Sequence, residues 1–260
     1  MRTRRRRRGA IPIRGAADAP SAIRAVIFDC DGVLVDSERI AAPILAELLS
    51  ELGLPTTVAD VDRDFKGRSW ESGLAVIRAR RGGAEPWPEL RERYRAALFA
   101  AFDAELQPIP GVVDALAALD ATGVPYCVAS SGDHERIRRG LRAAGLLDRF
   151  PDEAIFSFED VTHGKPAPDL FLHAAAEMGF DPAATVVVED STAGVQAGVA
   201  AGMRVLGFTG GLTSAEALRA AGADVFADMA DLTPLLLGDL PSASCAPSSP
   251  PPTPRSTSTG

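Results

Sequence analysis

The chain has 260 residues, 46% of them hydrophobic and 24% charged, with three cysteines and a formal net charge of −8. That length can bury a sizeable core as one large domain or two small ones. No apolar run approaches the ~20 residues of a membrane-spanning helix, which excludes a helical membrane protein. Cys30, Cys127 and Cys245 are too scattered for a disulfide framework or a zinc site, and a reducing compartment fits them. With His134, His163 and His173 the only histidines, His/Cys metal centres and Cys-His nucleophile pairs are equally poor candidates. The total charge conceals an asymmetry: without residues 1–20 and 241–260, 19 basic and 34 acidic residues remain, a formal −15. Such a body repels nucleic acid and needs a cation to handle phosphate.

Residues 1–20 include five successive arginines, Arg4 to Arg8, with no apolar stretch of the kind an export signal carries. They are expected to form a disordered arm on a cytoplasmic protein. Apolar runs at 24–28, 124–129, 154–156, 185–188, 204–207 and 224–226 predict strands. Most are separated by amphipathic helical stretches, the pattern of an α/β protein with a doubly wound parallel sheet. Residues 38–107 break the alternation, with helical stretches at 40–52, 70–80 and 88–104 and no convincing strand. Seventy residues exceed any ordinary loop, so the segment reads as a small all-α cap inserted after strand 1. The remaining core comprises residues 21–37 and 108–240, and the Pro/Ser-rich residues 241–260 are read as a disordered tail.

The run A-V-I-F-D-C-D-G-V-L-V-D-S-E places Asp29 and Asp31 just beyond the first strand. In an open α/β sheet, ligands gather at the carboxyl ends of strands. Two carboxylates this close share either a proton or a cation. A calcium loop counted from Asp29 would need Gly and Glu where Leu34 and Ile40 stand, so that alternative fails. Three later segments resemble further site elements. C-V-A-S-S-G ends a strand at Ser130, which could equally cap the following helix, as could Ser131 or Asp133. H-G-K-P-A-P-D carries Lys165, one of only two lysines beside 25 arginines. V-V-V-E-D-S-T-A-G sets Glu189 and Asp190 at another strand end. A helix cap would explain Asp190 or Ser191 but not the adjacent Glu189.

D-C-D-G-V-L-V-D-S resembles the first motif of the haloacid dehalogenase superfamily of phosphohydrolases, and the other three segments match its later motifs in order. The resemblance covers residues 22–238 and implies a modified Rossmann core with the helical cap after its first motif. It implies Asp29 as the nucleophile, Asp31 as general acid and base, and Ser130 and Lys165 as phosphate ligands. It further implies Mg²⁺ held by Asp29, the Asp31 backbone carbonyl, Asp190 and Glu189. Asp36 and Ser37 read as a flap anchor and the cap of the helix from Glu38. Asp31 disfavours dehalogenases and P-type ATPases, which lack that acid. D-F-K-G-R-S-W resembles the cap loop that inspects substrate, making Lys66, Arg68 and Trp70 specificity candidates. Mutases of the β-phosphoglucomutase subgroup carry a cap His where Ala41 stands. The motifs are most similar to those of bacterial 6-phosphogluconate and related sugar-phosphate phosphatases. The expected activity is therefore Mg²⁺-dependent hydrolysis of a small phosphorylated metabolite by a monomer. The alternatives are a phosphosugar mutase and a non-catalytic phosphate-binding or nucleic-acid-associated protein.

Overall fold

The computed structural model describes residues 23–65, 70–211 and 213–238. The Arg-rich arm, the Pro/Ser-rich tail, Lys66 and Arg68 lie outside the described residues. Six strands form one parallel sheet: β1 (Ala25–Phe28), β2 (Tyr126–Ser130), β3 (Ile155–Ser157), β4 (Thr185–Glu189), β5 (Arg204–Phe208) and β6 (Asp224–Phe226), in the order β3-β2-β1-β4-β5-β6. All six expected strands are present. Four run further at their carboxyl ends than the apolar runs do, through Ser130, Ser157, Glu189 and Phe208. The polar residues Ser130 and Glu189 end the hydrophobic pattern, yet they stay paired with Ser157 and Gly207.

Both faces of the sheet are covered, which is why its strands read as continuous rather than alternating apolar runs. Val26, Phe28, Val128 and Val188 pack on one side with Leu116 and Leu119 of α5 (Val112–Thr122), Ile137 and Leu141 of α6 (His134–Ala143), and Leu232 of α10 (Leu232–Leu237). Ile27, Cys127, Ala129 and Val187 pack on the other with Phe171 of α7 (Asp169–Met178), Val195 of α8 (Thr192–Ala200) and Leu218 of α9 (Ala215–Ala221). Fully burying one large apolar side chain is worth about 2 kcal/mol, so these two layers supply most of the drive to fold.

Between β1 and α5 lie four helices: α1 (Glu38–Glu51), α2 (Val58–Phe65), α3 (Trp70–Arg80) and α4 (Leu90–Glu105). Leu45, Leu49, Val61, Ile77 and Leu90 make an apolar cluster of their own. Helix α2 is not among the stretches that periodicity singles out. It has eight residues, three of them aspartates, and only Val61 is buried. Its local signal is a capping pattern: the Thr57 hydroxyl accepts from the Asp60 N–H, while the Asp60 carboxylate accepts from the Thr57 N–H. Helix α4 faces the core, where Arg95 pairs with Asp133 and Arg139 of α6 pairs with Asp103. Among the described residues no helix is long and apolar enough to cross a membrane.

Candidate active site

The strand order reverses direction of growth between β1 and β4, and crevices at such a point open at the carboxyl ends of the strands. Asp29 follows β1 there, its N–H bonded to the Val188 carbonyl. Ser130 ends β2 and Glu189 ends β4, with Asp190 next in chain. Asp29, Asp31, Ser130, Lys165, Glu189, Asp190 and Trp70 all line one cavity of about 210 Å³ between the sheet and the helices of the inserted segment.

Lys165 is 1% exposed, so it is no solvated loop lysine. Its Nζ donates to Asp29 Oδ1 at 2.6 Å, Glu189 Oε1 at 2.7 Å and the Ala129 carbonyl at 3.1 Å. Burial opposes its charge, but Asp29 and Glu189 more than offset that and hold its pKa above the ordinary value. For Asp29, burial dominates and pushes the carboxyl well above the usual carboxylate range. Glu189 and Asp190 push the same way, and Lys165 pulls back. Glu189 is fixed from its other oxygen by the Ser191 N–H at 2.8 Å and the Ser191 hydroxyl at 2.9 Å.

Ligand atoms of Asp29, Glu189 and Asp190 lie within 4.8 Å of one another, all buried. Three carboxylates against one lysine leave an excess of buried negative charge, and a hard divalent cation with oxygen ligands suits such a donor set. Two glycines make room for it. A Cβ at Gly32, whose φ is +81°, would collide with the Asp190 carboxylate, and one at Gly194 would overlap that of Glu189. The residues therefore fit Mg²⁺. The Asp31 carboxylate is not part of this group.

Among the open local alternatives the structure selects one partner at each helix start, and it corrects one expectation, the capping role of Ser37. Asp133, not Ser130, caps α6, accepting from the Arg136 N–H at 2.8 Å. The Ser130 hydroxyl instead accepts from the Gly132 N–H at 3.1 Å. Ser191 caps α8 through the Gly194 N–H, which leaves Asp190 to the cavity. Ser37 precedes α1 but makes no side-chain cap; its hydroxyl donates to Asp31 Oδ1. Asp36 pairs with the exposed Arg39. Trp70 is stacked on Tyr94 of α4, ring centroids 5.4 Å apart.

Sequence reasoning missed Arg136. Its Nε and Nη2 donate to the two oxygens of Asp31 at 3.2 and 3.0 Å. Burial raises the Asp31 pKa, but Arg136 and the Ser37 hydroxyl outweigh it and hold the carboxyl below its ordinary value. One signal was present: Arg136 stands in the first turn of α6, where the helix dipole disfavours a cation unless an acid sits nearby.

Sheet, cavity and buried acids define an α/β enzyme. The chain belongs to the haloacid dehalogenase-like hydrolase family, whose description matches residues 23–202, and it stands among that family's phosphatases. It is 36% identical over 188 residues to the 6-phosphogluconate phosphatase of Escherichia coli (strain K12), covering 72% of this chain and 83% of that protein. A HAD family hydrolase from Deinococcus radiodurans R1, solved with bound phosphate and sodium, is 34% identical with a TM-score of 0.69, covering 85% of this chain and 97% of that one. A candidate β-phosphoglucomutase from Thermotoga maritima is 27% identical with a TM-score of 0.67, covering 83% and 99%.

Proposed function

We propose that this enzyme hydrolyses a small sugar or sugar-acid phosphate through a phosphoryl group carried on Asp29. The observation that carries the reading is the buried set of Asp29, Lys165, Glu189 and Asp190 at the ends of adjacent strands. Asp29, Glu189 and Asp190, with the Asp31 backbone carbonyl, would hold Mg²⁺. Bound there, the ion offsets negative charge on the phosphoryl oxygens and keeps the Asp29 carboxylate ionised.

The Asp29 carboxylate oxygen attacks phosphorus as the bond to the sugar oxygen breaks, and Asp31, which takes up a proton as the negative charge of the entering phosphate offsets Arg136, gives that oxygen its proton. Water then attacks the aspartyl-phosphate while Asp31 takes its proton, releasing inorganic phosphate and restoring Asp29. Lys165 and Ser130 bind phosphoryl oxygens, and the Lys165 charge is worth more there because its side chain is buried. Residues 38–107 act as a cap over the core of 21–37 and 108–240, limiting substrates to small molecules, with Lys66, Arg68 and Trp70 contributing to choice among them. The enzyme works as a monomer in the cytoplasm, in keeping with the buried free thiols of Cys30 and Cys127. The likeness to a candidate mutase raises that second reading, but Ala41 lines the cavity, and no histidine does among the described residues.

The test is phosphate release from a panel of sugar and sugar-acid phosphates with and without Mg²⁺, using the full chain and Asp29→Asn. Metal-dependent release by the parent and a loss of about a thousandfold or more in the variant, with unchanged circular dichroism, is expected. Substantial metal-dependent turnover by Asp29→Asn overturns the reading.

A further inference from the structure

Arg136 is a largely buried cation beside the site that the reaction above leaves without a task; its side chain is 21% exposed. Three observations give it one. First, both its contacts with Asp31 are used at once, Nε to one carboxylate oxygen and Nη2 to the other. A planar fork on a planar carboxylate fixes the plane of the acid as well as its place, which a point charge does not do. Second, the same guanidinium lies 5.7 Å from the Phe102 ring centre and lines the cavity beside Tyr94. Both aromatics belong to α4 of the helical segment, and Tyr94 is stacked in turn on Trp70 at the cavity wall. Third, the residue occupies the first turn of α6, against the helix dipole, so its placement there is offset chiefly by Asp31. The ion pairs of Arg95 with Asp133 and of Arg139 with Asp103 brace α4 on α6 at either side of it.

We propose that Arg136 is a positioning residue: its fork aims the Asp31 carboxylate, and the Phe102 ring of α4 backs the fork, so that docking of the helical segment on α6 sets the direction from which the acid meets the leaving oxygen. This rests on the reading that Asp31 serves the leaving group. Displacing a proton donor by even about 1 Å costs up to roughly a hundredfold in rate. The cost falls on substrates that need the proton. A sugar alkoxide needs it, whereas p-nitrophenolate leaves without it.

The experiment compares a sugar phosphate with p-nitrophenyl phosphate for the full chain, Arg136→Lys, Arg136→Ala, Phe102→Leu and Arg136→Lys/Phe102→Leu. Steady-state kcat and KM are measured for the sugar phosphate, and the pre-steady-state burst for the aryl phosphate. Arg136→Lys keeps the charge and loses the fork, so it is expected to lower kcat on the sugar phosphate about ten- to a hundredfold. Its KM and the aryl burst rate should change by no more than about threefold. Phe102→Leu should follow in the same direction by a smaller factor, and the double variant should lose less than the product of the single losses. Should Arg136→Ala fail to fold, the Lys and Leu variants carry the comparison. Equal losses on both substrates, or a loss confined to KM, would mean a structural or binding role and overturn the proposal. Asp31→Asn separates the two readings. If that variant hits the sugar phosphate selectively and Arg136→Lys does not, this inference fails alone. If Asp31→Asn spares the sugar phosphate, the reading of the site fails and this one with it.

Discussion

A methyl group at Gly194 would occupy the space of the Glu189 carboxylate, although the position is helical and alanine is there the better helix former by about 1 kcal/mol. Gly194→Ala therefore sets helix propensity against the metal site. Glu189, held by Lys165 and Ser191, cannot yield without breaking those bonds. Mg²⁺ is expected to raise the melting temperature of the parent protein, because a ligand that binds only the folded state stabilises it. The same addition should do little for Gly194→Ala, and the Mg²⁺ concentration for half-maximal activity should rise about tenfold. A variant with an undiminished Mg²⁺ response in the melting curve would refute the packing argument. At this scale the acids were legible because each ends an apolar run, and Lys165 because lysine is rare in this chain. Arg136 was not, since one arginine among 25 does not stand out and its place in the first turn of α6 does not name its partner. Its contact with Asp31 spans 105 residues and depends on how α6 packs. Likewise Ser37 reads as a helix cap until its hydroxyl is seen on Asp31.

Elements were more legible than their ends. Six apolar runs gave six strands, because a strand buried on both faces must be apolar throughout. Helix α2 escaped because it has only eight residues and buries only Val61, too short an apolar signal to read as a helix, even though Thr57 and Asp60 spell a capping pair. A similar device anchors the chain after β3. The Ser157 hydroxyl accepts from the Glu159 N–H, and the Asp160 carboxylate accepts from the Ser157 N–H at 2.8 Å and meets His134 Nε2, also at 2.8 Å. Burial works against the Asp160 charge, but the bonds from Ser157 and His134 outweigh it and hold the carboxyl below its ordinary 3.8. A carboxylate depressed in the folded state stabilises it in full above the unfolded value, and that contribution fades as pH falls through the folded one. Asp160→Ala should thus cost about 1 kcal/mol at neutral pH. The gap to the parent protein should narrow as pH falls below 3.8 and close once it has passed through the folded value, as read by denaturant unfolding at a series of pH values. A gap that persists unchanged in acid would mean that packing, not the carboxylate, is what the substitution removes.

The whole molecule joins a sheet-based core, with its acids at one rim, to four helices whose side chains form the opposite wall of the cavity. That division was legible as a break in alternation between residues 38 and 107, because a parallel sheet demands a regular strand–helix rhythm. The chemistry of the opposite wall was less so, since Lys66 and Arg68 lie outside the described residues while Trp70 faces Tyr94. That wall decides between hydrolysis and phosphoryl transfer to a second sugar hydroxyl. Both begin with a phosphoryl group on Asp29, and they part over what reaches it next. A mutase must keep water from the intermediate and hold a bisphosphate in two orientations. It also needs a group on the cap side to manage the proton of the incoming hydroxyl. Ala41 stands on the cavity wall where mutases of this type carry histidine, and it has no atom that can donate or accept. On the proposed reading, with Ser130 and Lys165 on the phosphoryl oxygens, Asp31 as base and a helical wall that is largely apolar, water is the acceptor best served. Incubation with β-glucose 1-phosphate, with and without glucose 1,6-bisphosphate, is expected to yield inorganic phosphate if it yields product at all, with no dependence on the bisphosphate. Ala41→His alone should not create a mutase, because a second phosphate must also be held. Rapid formation of glucose 6-phosphate with negligible free phosphate would overturn the hydrolytic reading and place the proton-handling group elsewhere on the cavity wall.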